Sequence, residues 1–237
     1  MSFLEHLGEL RARLAKALLA LGVCFLIAWS QSAKVFNFLV RPLEPYLGGH
    51  KLVFLEITEP FLLYMKVSLL VAVFASSPVI LYQIWAFVSP GLYPREKSYA
   101  VPFIVVASLF FFGGGLFGYY VAFPYAARFL LSIASDFEPA LTVRSLFGFE
   151  SKIILGMGLV FEMPVVIFLL SRIGIVTPAF LLHHLKYAVL VIFIVAAVIT
   201  PTPDVITQCV FALPMLGLYL LGILAAYLVP GGKNPKA

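Results

Sequence analysis

The feature that most constrains this chain is a series of long apolar segments with almost no charge. Every residue from Ser98 to Ala127 is uncharged, and Glu162 carries the only charge between Ile153 and Ser171. The chain has 237 residues, is 62% hydrophobic and 11% charged, and has a mean hydropathy of +1.06. Too few polar side chains remain to cover a water-soluble fold. We therefore predict an all-α, polytopic membrane protein and exclude a soluble domain, a disordered chain and a disulfide scaffold.

The apolar runs predict six transmembrane helices, each of which needs about 20 residues to cross a hydrocarbon core of about 30 Å. The fifth is shorter than this, because Pro201 and Pro203 forbid a simple continuation. The sequence shows no internal repeat, so we predict a single membrane domain over 1–237. The predicted spans lie at about 15–33, 61–88, 99–124, 149–171, 187–200 and 204–228.

The distribution of basic residues predicts that both termini are cytoplasmic. This orientation assigns nine lysines and arginines to the inner segments and five to the outer ones, which is the bias found in membrane proteins. The same bias explains the net charge of +5, so we expect no nucleic-acid partner. Because the sequence shows no transit peptide, we expect a bacterial inner (plasma) membrane protein.

Two acidic residues, Glu9 and Glu96, lie on the predicted cytoplasmic side. Glu9 precedes Arg13 by four residues on an amphipathic segment, so its carboxylate either pairs with that arginine or is presented to a cationic partner. Glu96 lies at the N-terminus of the third span, where the helix dipole stabilises a carboxylate. It also suits an arginine pair, because carboxylates bind guanidinium groups in a bidentate fork.

Glu162 lies near the middle of the fourth span. An ionised carboxylate there costs about 2.5–3.5 kcal/mol on insertion scales. Pro164, two residues later, leaves a backbone carbonyl unpaired and predicts a locally irregular helix. We expect the Glu162 carboxyl to be protonated and satisfied inside the bundle, to receive a polar group from another helix, or to relay protons.

The sequence predicts no enzyme. It contains no nucleophile elbow, no zinc-protease motif and no phosphate-binding glycine loop, and its four histidines fall in loops or at span ends. We therefore expect no catalytic residue, no metal site and no cofactor. At the start of the sixth span, Asp204 is suited to cap the helix, and together with Gln208 it forms a polar pair that could bind a partner.

Four motifs occur in order along the chain: LGELRAR at 7–13, SPGLYPRE at 89–96, FEMP at 161–164 and TPDVITQ at 202–208. Together they resemble the TatC family, the multi-spanning receptor subunits of the twin-arginine protein translocase. The resemblance extends from the N-terminus to about residue 228. It implies a receptor that binds signal peptides with two adjacent arginines and exports folded proteins by means of the proton-motive force, without a nucleotide.

The resemblance also implies roles for individual residues. The signal-peptide surface would consist of Glu9, Arg11, Phe87, Tyr93 and Glu96. Single-span partners of the TatA/TatB type would contact the intramembrane or membrane-edge residues Glu162, Asp204 and Gln208, and Pro42 matches a functionally sensitive loop proline. Membrane lipid and further copies of the chain in an assembled receptor complex are the other expected partners.

The alternative hypothesis is a proton-coupled small-solute transporter that uses Glu162 as its relay. Such a protein would be expected to have inverted repeats and more than one intramembrane titratable group, and the sequence indicates neither. A membrane hydrolase ranks third, because no nucleophile–base pair is evident.

Overall fold

The computed structural model describes residues 3–46, 52–88, 100–133, 141–200 and 204–228. These ranges are almost entirely helical, with an isolated parallel bridge between Val53 and Thr142, so the predicted all-α fold class is confirmed. In chain order the helices are α1 (Phe3–Trp29), α2 (Ser32–Val40), a 3-10 helix (Arg41–Tyr46), α3 (Glu59–Val88), α4 (Ala100–Phe117), a π-helical turn (Gly118–Ala122), α5 (Phe123–Ile133), α6 (Val143–Phe161), α7 (Met163–Arg172), α8 (Pro178–His183), α9 (Leu185–Ile199) and α10 (Val205–Tyr227).

Among the described residues, five helical segments are long and apolar enough to cross a membrane, judged by length and composition. Helix α9 is also apolar but has only 15 residues, so it is about 22 Å long and falls short of a hydrocarbon core of about 30 Å. It occupies the position of the shortened fifth span. The five long segments are Leu7–Trp29, Glu59–Phe87, Val101–Ile133, Val143–Arg172 and Val205–Tyr227.

Three helices differ in their bounds from the predicted spans. Helix α1 begins at Phe3, because the amphipathic segment joins the first span without a break, and it ends at Trp29. The third segment continues to Ile133 and includes the exposed Arg128. Helix α6 begins at Val143, well before the predicted 149. Charged residues limited the predicted spans, although a helix carries charge readily where a side chain reaches polar surroundings.

The helices form two compact units. The first unit comprises Met1–Phe112 and Pro139–Ser151, and the second comprises Gly113–Glu138 and Lys152–Ala237. The boundary between them falls inside two of the long segments, Val101–Ile133 and Val143–Arg172. The single membrane domain expected from the sequence stays a prediction.

In the first unit, α1 packs along α3 and the two helices run in opposite directions. Trp29, the last residue of α1, meets Phe61 in the first turn of α3 with ring centroids 5.6 Å apart. The far end of α3 contacts α4, where the rings of Trp85 and Phe103 are 4.4 Å apart. The N-terminal half of α1 therefore lies beside the C-terminal half of α3.

In the second unit, glycines allow helix backbones to approach closely. A Cβ atom at Gly114 would lie 2.7 Å from the Phe161 Cβ and 2.9 Å from the Gly158 Cα, and one at Gly118 would lie 3.0 Å from the Ile154 Cα. A side chain fits at neither position unless the neighbouring helix moves. This segment therefore packs directly against α6, as is common where small residues line the contacts between membrane helices.

The close packing predicts that Gly114→Ala destabilises the protein. The added methyl group would overpack the contact with α6, which typically costs about 1–3 kcal/mol. Gly113→Ala is the matched control, because nothing lies within 4 Å of a Cβ at that position. It should be neutral or stabilising by up to about 1 kcal/mol, since alanine is the better helix former. Thermal unfolding of the two purified variants in detergent measures the difference, and equal stabilities would contradict the packing argument.

Candidate functional site

The carboxylate of Glu9 is held by Arg13 one turn further along α1. The Arg13 Nε donates a hydrogen bond of 2.9 Å to the Glu9 Oε1, and the Nη2 also contacts this oxygen. The other carboxylate oxygen, Oε2, is buried and has no hydrogen-bond partner among the described residues. The ion pair expected from the sequence is therefore present, and it leaves one acceptor oxygen of Glu9 unused.

Glu9 and Phe87 lie towards the same end of the first unit. Glu9 is about 30 Å from Trp29 along α1, and Phe87 is about 39 Å from Phe61 along the antiparallel α3. Arg11 is exposed on α1, next to this end. The structure thus brings three of the five predicted signal-peptide residues to one end of the unit. The other two, Tyr93 and Glu96, lie outside the described residues.

Pro42 lies far from Glu9 within the same unit. It belongs to the 3-10 helix Arg41–Tyr46, which follows α2, and α2 contacts the start of α3 through the ring pair Phe36–Tyr64, at the end of the unit opposite to Glu9. The Arg41 guanidinium lies 6.0 Å from the centroid of the Phe38 ring in the preceding turn. Pro42 is therefore remote from Glu9 and does not contribute to the predicted signal-peptide surface.

Glu162 occupies a break between α6 and α7. Its backbone N–H donates to the Leu159 carbonyl at 3.2 Å, which is the tighter bonding of a turn rather than of an α-helix. Pro164 has no N–H for the Val160 carbonyl, so the helical ladder is interrupted here. The expectation of an irregular helix at this position is confirmed.

A comparison with Pro78 and Pro214 shows that a proline alone does not break a helix in this protein. Pro78 lies inside the continuous helix α3, and it leaves the Phe74 carbonyl without its usual donor. The hydroxyl of the preceding Ser77 donates to that carbonyl at 2.8 Å. The residue before Pro164 is Met163, which has no hydroxyl to donate, but Leu213 before Pro214 has none either, and α10 continues through that proline.

The Glu162 side chain is buried at this break, with its Oε1 lacking a hydrogen-bond partner among the described residues. The rings of the neighbouring Phe161 and of Phe117 lie in a tilted arrangement with their centroids 5.6 Å apart. Helix α10 packs closely against the start of α7, since a Cβ at Gly222 would lie 3.2 Å from the Pro164 Cα. A carboxyl group with an unused polar atom in such apolar surroundings can bind strongly to a polar group supplied by another helix.

Asp204 and Gln208 both have structural roles at the start of α10. The Asp204 Oδ1 accepts a hydrogen bond of 2.6 Å from the Thr207 N–H, so the expected N-cap is confirmed. The Gln208 Nε2 donates to the Phe193 carbonyl of α9 at 2.8 Å and so joins the two helices. Gln208 is about 21 Å along α10 from Gly222. This polar pair and Glu162 are therefore separate sites within the second unit.

The sequence pattern does not predict the burial of Glu150. This residue lies within a turn or two of the outer end of the predicted fourth span, which predicts an interfacial residue, but its side chain on α6 is only 1% exposed, and its Oε1 has no hydrogen-bond partner in the described part of the chain. Glu150 and Glu162 are thus both buried acids of Val143–Arg172, a segment long and apolar enough to cross a membrane. The missed signal was the apolar character of its helical neighbours Phe147, Ile153 and Ile154, which are all buried.

Nothing in the described ranges resembles a metal centre. No three histidine, cysteine, aspartate or glutamate side chains come together there in a way that could hold an ion. The two cysteines, Cys24 and Cys209, are free thiols that belong to different units.

Comparison with known proteins gives one consistent family. The family model described as "Sec-independent protein translocase protein (TatC)" matches residues 5–214. Two relatives with the name Sec-independent protein translocase protein TatC come from Koribacter versatilis (strain Ellin345) and Campylobacter jejuni. The first is 43% identical over 233 residues, covering 97% of this chain and 86% of the relative. The second is 40% identical over 238 residues, covering 98% of this chain and 96% of the relative.

A solved crystal structure is also similar to this chain. It is described as the twin arginine translocase receptor TatC, is 36% identical, and superimposes with a TM-score of 0.82. The match covers 94% of this chain and 99% of that structure.

The hydrogen bond of Asp204 predicts a difference between two substitutions. Asp204→Ala removes the N-cap of α10 and should lower the stability by about 1 kcal/mol, whereas Asp204→Asn keeps an oxygen that can accept from Thr207 and should be close to wild type. Thermal unfolding in detergent measures both. If the two variants were equally destabilised, the negative charge rather than the cap would be what stabilises this helix end.

Proposed function

The chain belongs to the TatC family and is a core subunit of the twin-arginine protein translocase; from this premise we propose that it is the subunit that recognises twin-arginine signal peptides. With single-span partners of the TatA/TatB type it exports folded proteins across the membrane, driven by the proton-motive force. The recognition surface comprises Glu9, Arg11, Phe87, Tyr93 and Glu96.

The unused Oε2 of Glu9 is the observation that carries this proposal. It lies at the end of the first unit where α3 ends and α4 begins, and the Trp85–Phe103 contact holds these two helices together. Glu96 lies between them in the sequence. Once the atoms that cover the Glu9 Oε2 move aside, this oxygen accepts a hydrogen bond from an arriving guanidinium, while Arg13 keeps the carboxylate in place through Oε1. The second arginine of the signal peptide pairs with Glu96.

Arginine rather than lysine suits this surface because of its shape. The planar guanidinium offers several donors in a fixed fork, whereas the lysine ammonium is a compact point charge. The predicted cytoplasmic segments are net basic, so long-range steering of a cationic peptide is poor, and the local geometry of the two carboxylates provides the discrimination.

The orientation that follows places both termini in the cytoplasm of a bacterial cell, with the chain in the inner membrane. The excess of lysine and arginine in the inner segments supports this orientation. A precursor protein made in the cytoplasm then meets the Glu9 end of the first unit before it enters the membrane.

We further propose that Glu162, Asp204 and Gln208 contact the single-span partners and that Pro42 shapes the outer loop those partners approach. The unpartnered Oε1 of Glu162 supports the first contact, because a polar side chain on a partner helix would satisfy it. Beside Asp204, the apolar Val205 and Ile206 are 72% and 60% exposed, which suits contact with a membrane helix. Several copies of the chain join in the assembled receptor.

The transporter hypothesis is not retained. Glu59, Glu150 and Glu162 are all buried, so the burial of acidic groups does not by itself argue against a transporter. However, the family model and the named relatives are those of a protein translocase, which the hypothesis does not accommodate.

Peptide binding tests the recognition surface. Purified wild-type protein in detergent should bind a labelled twin-arginine signal peptide about tenfold more tightly than its twin-lysine version, the difference expected for one lost bidentate pair. Glu9→Gln should remove most of this preference. Fluorescence anisotropy measures both affinities.

The matched control is Glu44→Gln, which removes an exposed carboxylate from the 3-10 helix in the same unit. It should leave the preference for arginine unchanged. If Glu44→Gln and Glu9→Gln reduced binding equally, overall charge rather than the Glu9 site would be responsible, and the proposal would fail.

Glu162→Gln separates recognition from the later steps. This variant should bind the signal peptide like the wild type but show reduced export of a folded precursor in membrane vesicles. The amide has no carboxyl proton to exchange, yet it retains the size of the glutamate side chain. Loss of peptide binding in this variant would instead assign Glu162 to the signal-peptide site.

A further inference from the structure

A small cleft lies in the first unit between the start of α3 and the start of α6. Its volume is about 190 Å³, and its apolar wall consists of Leu62, Leu63 and Phe147. This is smaller than the roughly 300–1,000 Å³ of typical pockets for drug-sized ligands. The cleft therefore suits a small polar group attached to something apolar.

Four charged side chains complete the cleft. Glu59 and Lys66 lie two turns apart on one face of α3, and Glu56 and Arg144 come from the segments just before α3 and at the start of α6. Two backbone hydrogen bonds hold these segments together. The Val53 N–H donates to the Leu141 carbonyl at 3.1 Å, and the Val143 N–H donates to the Val53 carbonyl at 3.0 Å.

The charged side chains of the cleft form only one ion pair with one another, and it is exposed to solvent. Arg144 and Glu56 are 3.7 Å apart, and their side chains are 65% and 62% exposed, so this ion pair contributes little. Lys66 is exposed and has no ion-pair partner among the described residues. Glu59 is buried, with its Oε2 accepting a hydrogen bond of 3.1 Å from the Leu55 N–H. The cleft thus presents two cations and two carboxylates, with no net charge.

We propose that this cleft binds the headgroup of an aminophospholipid. The phosphate lies between Lys66 and Arg144, and the primary ammonium, which has three N–H donors, donates to the carboxylates of Glu56 and Glu59. The position agrees with this ligand, because the cleft lies at the ends of two membrane-spanning segments, Glu59–Phe87 and Val143–Arg172. Headgroups of the bilayer occupy that level.

The balance of charges selects this headgroup over its relatives. An anionic headgroup would satisfy the two cations but would place its negative charge near two carboxylates that gain nothing from it. A choline headgroup carries the same charges as ethanolamine but has no N–H to donate. Only a headgroup with both a phosphate and a primary ammonium uses all four side chains.

Native mass spectrometry of the full-length protein in detergent tests the site. Dioleoyl phosphatidylethanolamine should bind about tenfold more tightly than dioleoyl phosphatidylcholine, as expected for the loss of one charge-assisted interaction. Lys66→Gln and Arg144→Gln should each weaken its binding, and Glu56→Gln should abolish the preference over the choline lipid. Lys152→Gln, which removes an exposed cation of α6 outside the cleft, should have no effect.

Three outcomes would overturn the proposal. Phosphatidylglycerol that bound as tightly as the ethanolamine lipid would show that the carboxylates take no part. Soluble phosphoethanolamine that displaced the lipid at equal concentration would identify a free phosphate ester as the ligand. Lipid preferences that were the same in wild type and Glu56→Gln would place the binding elsewhere. Because the Glu56 side chain is 62% exposed, this last variant should keep the fold, which circular dichroism checks.

Discussion

Every peptide group of the spanning segments must find its hydrogen-bond partner within the protein, because hydrocarbon provides none. Helices satisfy this requirement, and prolines test it because each lacks an N–H. At Pro78 the hydroxyl of Ser77 replaces the missing donor and α3 continues. Helix α10 also continues through Pro214, although Leu213 before it has no hydroxyl. At Pro164 the helix breaks, and the break contains the buried Glu162. A functional candidate thus lies where the backbone hydrogen bonds of a spanning segment are interrupted.

Features that depend on one helix alone could be predicted from the sequence. The all-α class follows from hydropathy, the Asp204 cap from its position before an apolar run, and the irregularity at Glu162 from Pro164. Features that depend on contacts between helices could not. Nothing local indicates that Gln208 bonds to the Phe193 carbonyl, since this contact is set by how α9 and α10 pack.

The acidic residues illustrate the same division. A run of apolar neighbours made Glu162 conspicuous, whereas the nearby Lys152 and Arg144 made Glu150 look like an interfacial residue. Its burial depends on packing of the α6 face that also carries Phe147 and Ile153. The cleft shows the same division. Arg144 is far in the sequence from Glu56, Glu59 and Lys66, and the backbone pairing of Val53 with the start of α6 brings the four side chains into one cleft.

The pairing of Glu9 with Arg13 cancels the charge of the Glu9 carboxylate before any ligand arrives, while the exposed Arg11 beside it keeps its positive charge. A neutral pair exerts almost no attraction beyond a few ångströms, so it adds little to the long-range approach of a cationic peptide. At this point the peptide is then held by the single hydrogen-bond acceptor that remains on the carboxylate. Such a site exchanges its ligands readily, which suits a receptor that must hand each precursor on.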